Sequence, residues 1–389
     1  MRLRNIYIAG QEGLKDLCLL GHRIAAVADP SLAGSSPADE VSLSFEGALA
    51  LPGLINSHDH LDFDLFPQFK SQTYSSYKEW GSDIHGRYGE SIAAVLRVPR
   101  ELRIRWGLYK NLLGGVTSVV HHGVRLDIPE DLISVFQDAE SLHSVSGEKR
   151  WRRKLLSPFR RERPLVIHTG EGTTPECSGE IDSLIRWNIL GRPLIGIHAI
   201  AMSGQQAAAF RALVWCPDSN YFLYDRTADI PLLRDRTKVV FGTDSTLTAS
   251  WNIWEQLRLA RKLKMVEDSA LWDMVTAGPA RLWELADRGT IGEGQTADLV
   301  IAERPAGSVG WDAVFGLDPA SILLVLHQGN IRLFDVSLRE QLKDCGYSFE
   351  NFYPVVVDGR IKYVLGDLPG LLREIYQHYP GALFPVTTL

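Results

Sequence analysis

"LPGLINSHDHLDFDL", residues 51–65, places two histidines two positions apart directly after an apolar run. Leu51 to Ile55 reads as a short buried strand, with Pro52 and Gly53 at its entry. Side chains along a strand alternate faces, so His58 and His60 point one way and Asp59 the other. Two imidazoles on one face at a strand end can grip a single metal ion. A polar turn explains an isolated His-x-His equally well, so the pair acquires meaning only from partners elsewhere.

Outward from this stretch, about residues 53 to 285 alternate short apolar strands with helical patterns. The strands are "GVTSVVHH", "PLVIHTGEG", "PLIGIHAI", "ALVWCPDSN" and "KVVFGTDS"; the helical stretches include "EIDSLIRWNIL", "SGQQAAAFRAL" and "WNIWEQLRLARKL". Such alternation means parallel strands joined by crossover helices. The expected fold class is α/β, a (β/α)8 barrel over residues 53–290. Residues 1–52 and 291–365 carry β signals and are expected to form one small composite β domain, with 366–389 as a C-terminal tail. His122 and His168 are only 46 positions apart (168 − 122). The third and fourth barrel strands are therefore compressed, as "LISVFQ" and "SLHSV", or one is missing.

In a parallel barrel the chemistry lies where the strands end. His58 and His60 end the first middle strand, His121 and His122 the second. His168 ends another, with Glu171 three positions on; then come His198 and Asp244. Only 11 histidines occur in the chain, and six of them sit at these ends. A buried histidine can be a satisfied core residue, and Asp244 can be a helix N-cap. Together they are harder to explain so, because buried ionisable groups are costly unless paired or metal-bound. Neutral imidazoles with one carboxylate suit zinc or ferrous iron.

Composition narrows the rest. Of 389 residues, 45% are hydrophobic and 23% charged, and the net charge of −6 gives no sign of a nucleic-acid partner. The one basic cluster, "KRWRRK" at 149–154, reads as a solvated helix face. Four scattered cysteines without Cys-x-x-Cys spacing fit a reducing compartment. No signal-peptide core or membrane span is evident, so the expectation is a cytoplasmic protein acting on a small molecule, without a membrane partner, and with a homodimer as the one assembly considered.

The joint set of motifs resembles the amidohydrolase superfamily: "LPGLINSHDH" for the first strand, "GVTSVVHH" for the second, "HTGE", "FGTDS" for the eighth, and "GTIGEGQTADLVI" for the return into the β domain. It is most similar to the mononuclear deaminase branch that includes guanine, cytosine and triazine-ring hydrolases. The resemblance implies one divalent metal, Zn2+ or alternatively Fe2+, held by His58, His60, His168 and Asp244. It implies Glu171 as proton shuttle, His198 as the residue orienting water or polarising the leaving group, and Asp244 as a base as well as a ligand. No lysine stands at a strand end between His122 and His168, where binuclear members carry one. A divalent metal lowers the pKa of bound water to roughly 7, and Glu171 would serve the departing amine by general acid–base catalysis. The implied activity is hydrolysis of a non-peptide C–N bond, as in deamination of a cyclic amidine or guanidine. Amide, lactam or carbon–halogen hydrolysis is the alternative, and a non-catalytic scaffold the third reading. Trp80, within "SQTYSSYKEWGSDIHGRY", His122 and Trp251 are the candidate substrate contacts, stacking on or bonding a flat ring.

Overall fold

The computed structural model describes residues 1–30, 41–129 and 131–389. Its α/β part contains eight strands: β1 (Leu54–Asp59), β2 (Val116–His121), β3 (Ser134–Phe136), β4 (Glu140–Leu142), β5 (Leu165–Thr169), β6 (Leu194–His198), β7 (Ala212–Trp215) and β8 (Lys238–Phe241). All neighbouring pairs are parallel, with β1 to β3 in one sheet and β4 to β8 in another, both in chain order. β1, β2, β5, β6 and β7 are buried along their whole length, as strands covered on both faces must be. The compressed third and fourth strands are both present, three residues each, the third within "LISVFQ" and the fourth overlapping the start of "SLHSV".

The two outer strands meet at a seam: the Asp244 N–H donates to the His58 carbonyl at 3.0 Å, and the Thr243 N–H to Asn56 Oδ1 at 3.0 Å. Gly242 lies at this seam because a Cβ there would stand 2.6 Å from His58 Cβ and 2.8 Å from Val214 Cγ1. Gly242→Ala should therefore lower unfolding free energy by about 1–3 kcal/mol, the usual cost of overpacking. Denaturant titration checks this, and an unchanged midpoint would mean that the seam relaxes freely.

Among the described residues, strands from both ends of the chain share one eleven-stranded mixed sheet. Its central joint is the antiparallel pairing of Leu49–Pro52 with Leu299–Ala302, Pro52 opposite Leu299. The run expected as one strand from Leu51 to Ile55 is thus divided: residues 49–52 belong to the mixed sheet and β1 starts at Leu54. The break falls at Gly53, whose N–H turns to the Asp298 carbonyl at 2.8 Å.

The segment expected as a tail carries helix Leu368–His378 and strand Val386–Thr388, which pairs antiparallel with Phe352–Val357. That helix packs on Arg100–Leu113, and Phe384 meets Trp106 edge-on at 4.8 Å. Among the described residues no helix is long and apolar enough to cross a membrane.

Candidate metal centre

The chain brings His58, His60, His168, His198, Glu171 and Asp244 to the C-terminal ends of β1, β5, β6 and β8. His168 Nε2 is 3.3 Å from His60 Nε2 and 3.3 Å from His58 Nε2. Asp244 Oδ1 lies 3.6 Å from His58 Nε2 and 3.8 Å from His60 Nε2. Four ligands about 2.05 Å from a tetrahedral zinc stand roughly 3.3 Å from one another. The donors therefore have the spacing that one such ion requires. His58, His60 and His168 form one metal-competent group and His58, His198 and Asp244 another.

Hydrogen bonds set the tautomers. His168 Nδ1 faces the His143 carbonyl at 3.0 Å, an acceptor, so Nδ1 carries the proton and the Nε2 lone pair faces inward. His198 Nδ1 meets Asn220 Oδ1 at 2.9 Å, while Asn220 Nδ2 donates to Thr227 Oγ1. His198 is thus also left with an inward Nε2 lone pair. Asp244 Oδ2 accepts the hydroxyls of Ser219 at 2.8 Å and Thr248 at 3.2 Å, leaving Oδ1 toward the imidazoles. His198 and Asp244 both hold left-handed backbone, φ 70° and 59°. Non-glycine residues there cost on the order of 1–3 kcal/mol, and such strain gathers at functional sites. Here it aims two side chains inward, His198 from the last position of β6 and Asp244 from just beyond β8.

Burial pushes the His58 imidazole down to about 4, and drives His168 well below the ordinary histidine value. Both are neutral at pH 7, the form that ligates. Burial would raise Asp244, but His58 beside it, together with His198 and His60, outweighs burial and keeps the carboxyl well below its usual range. Glu171 is raised, by burial first; His198 opposes the rise and the charge of Asp244 adds to it. The metal-free protein should gain stability as pH rises from about 4 to 6.5, because the unfolded chain holds a proton on His58 that the folded chain rejects. At 1.36 kcal/mol per unit that is about 3 kcal/mol from His58 alone. Urea titrations of chelator-treated protein at pH 4.5 and 7 measure it; equal stability would place His58 in water.

Glu171 sits between Gly170 (φ 59°) and Gly172 (φ 146°), whose conformations let the loop return over the rim. Its Oε1 accepts the Tyr224 hydroxyl at 3.1 Å, and its Oε2 faces His198 Nε2 at 3.7 Å. A cavity of about 100 Å3 covers the group, bounded by Phe63, Tyr77, Trp80, His143 and Leu247 besides the residues already named. Phe63 stacks on the His60 ring at 5.6 Å.

Of the candidate substrate contacts, Trp80 lines this cavity, with its Nε1 donated to the Phe69 carbonyl. Trp251 lies in a separate cavity of about 630 Å3 with Phe66, Trp106 and Tyr379. His122 is buried, its ring 4.5 Å from that of His168 and 5.2 Å from that of His60. Tyr77 also lines the site, its hydroxyl bonded to Ser144 and Ser146, whereas Tyr74 bonds Asp83 and His85 is exposed. The expectation passed over His143 and Tyr224. "SLHSV" does carry a histidine at a strand end, the signal that would have marked His143.

Residues 169–333 match the Amidohydrolase family model Amidohydro_3. The 5-methylthioadenosine/S-adenosylhomocysteine deaminase of Desulforudis audaxviator (strain MP104C) is 24% identical over 364 residues, covering 77% of this chain and 84% of that protein. Among solved structures, an adenosine deaminase from Xanthomonas campestris with bound zinc superposes with a TM-score of 0.68 at 17% identity, over 89% of this chain and 96% of that one. The zinc complex of atrazine chlorohydrolase TrzN from Arthrobacter aurescens TC1 gives 0.66 at 18%, over 97% and 100%.

Proposed function

We propose that this chain, which the Amidohydrolase family model matches over residues 169–333, is a metal-dependent hydrolase of the amidohydrolase superfamily that deaminates a small, uncharged heterocycle bearing a cyclic amidine or guanidine. The observation that carries the reading is the convergence of Glu171, His198 and Asp244 on the side of the imidazole cluster that faces the cavity. One divalent ion per chain, zinc or ferrous iron, would be held by His58, His60, His168 and Asp244. Neutral imidazoles with one carboxylate fit either. Bound there, the ion supplies Lewis acidity that makes water a nucleophile near neutral pH.

The protein's own groups do the rest. Asp244, ionised and anchored through Oδ2, takes a proton from the attacking water. Glu171, raised by burial, gives its proton to the ring nitrogen through Oε2, since Oε1 is engaged by Tyr224. It then receives the water proton held by Asp244 and passes it to the departing amine, and the substrate hydroxyl proton released as the carbonyl forms restores it. His198 offers its Nε2 lone pair to orient the nucleophile. Phe63, Trp80 and Leu247 supply flat apolar walls. Among the described residues no Lys or Arg lines the cavity, so a phosphate or carboxylate on the substrate would go unpaired there.

Ammonia and chloride release across a panel of triazines, cytosine, guanine, adenosine and AMP tests the reading. Ammonia from at least one neutral ring, and none from AMP, is expected. Chloride without ammonia would retain the metal hydrolase and overturn deamination.

A further inference from the structure

Behind the two ligands of β1 lies a buried ionic cluster that the chemistry above leaves unused. Asp59, between His58 and His60, turns away from the metal centre, and its Oδ2 accepts Lys110 Nζ at 2.8 Å, Asn111 Nδ2 at 2.8 Å and Asn56 Nδ2 at 3.1 Å. Lys110 Nζ also reaches Asp64 Oδ1 at 2.8 Å. All five side chains are buried. One ammonium between two carboxylates in a dry interior is costly, and apolar residues of similar volume often serve stability as well or better. Its position suggests what it does.

The cluster reaches both sides of the seam. Asn56 Oδ1 accepts the His58 N–H at 3.3 Å and the Thr243 N–H at 3.0 Å. Asn56 Nδ2 donates to Thr243 Oγ1 at 2.7 Å, and Thr243 Oγ1 to the Asp244 carbonyl at 3.0 Å. Asp64 Oδ1 accepts the Thr246 N–H at 3.3 Å. The backbone carrying His58 and His60 is thereby tied to the backbone carrying Asp244, and both to helix Arg100–Leu113, which bears Lys110 and Asn111.

We infer that Lys110 is a positioning residue for the metal: through Asp59 and Asp64 it holds the His-x-His strand end and the Asp244 segment at ligand spacing. The inference rests on the metal assignment proposed above. It touches neither metal nor substrate, so its effect should appear in metal affinity whatever the substrate is.

The test is the Zn2+ dissociation constant of the full chain, by chelator competition, for wild type, Lys110→Met, Asp59→Asn and the double variant. Melting temperatures of the metal-free forms are measured alongside. Removing partners that orient ligands typically weakens metal binding about 10–100-fold. Lys110→Met should fall in that range, Asp59→Asn should weaken binding less, because the Asp64 contact remains, and the double variant should bind no more weakly than Lys110→Met, because the Asp59 carboxylate acts through its contact with Lys110. Zinc affinity within about twofold of wild type in folded Lys110→Met would overturn the inference, even if its melting temperature drops. Should Lys110→Met not fold, the isosteric Asp59→Asn decides alone, with unchanged affinity again overturning it. A wild-type chain that binds no zinc would refute the metal assignment itself.

Discussion

Glu171→Gln should leave the metal in place and lower turnover by about two to four orders of magnitude, the usual worth of a positioned acid–base group. Glutamine keeps the shape and can still accept the Tyr224 hydroxyl, but it cannot carry a proton between water and ring. A capping role would predict otherwise: the same change would cost stability and little catalysis. The geometry favours the shuttle. Helix Pro175–Trp187 is capped at Thr174 with no side-chain cap bond, while the Glu171 carboxylate is turned to Tyr224 and His198. Metal content, melting temperature and turnover on this single variant separate the two, and near-normal turnover would remove Glu171 from the mechanism.

His168→Ala should strip the site. His168 Nε2 stands 3.3 Å from both His58 and His60, so its removal takes away the shared neighbour of the other two imidazoles. Losing a ligand should weaken binding by more than the roughly 10–100-fold that an outer partner costs. Activity should fall to background at ordinary metal concentrations. Because the side chain is also buried beside His58 and His122, some stability goes with it. The readout is metal retained after desalting; full retention would exclude His168 as a ligand.

The gathering of ionisable groups at strand ends was legible where local rules act. Strand alternation alone puts His58 and His60 on one face with Asp59 opposite, and Asp59 indeed turns away, to Lys110. His168, His198 and Asp244 stand out because apolar runs rarely end in ionisable groups. Contacts set by the fold were not legible. Lys110 lies 51 positions from Asp59, and Tyr224 lies 53 from Glu171. No periodicity links such pairs. Three-residue strands such as β3 and β4 are too short to show alternation, which is why their number stayed open. Nor could left-handed backbone at His198 and Asp244 be read, since non-glycine residues there are held by tertiary bonds rather than preference.

Trp251 shows the limit differently. Proximity to Asp244 in sequence suggested proximity to the cavity, but the chain turns between them. Ser245, Leu247 and Thr248 stay at the candidate metal centre while Trp251 enters the neighbouring cavity.

The most direct test of the central claim is elemental analysis of the purified wild-type chain expressed with zinc or iron supplied. One divalent ion per chain, removed by a strong chelator and absent from His168→Ala, is the result expected from four donors at the spacing of a single ion. Two ions per chain, or none, would contradict it.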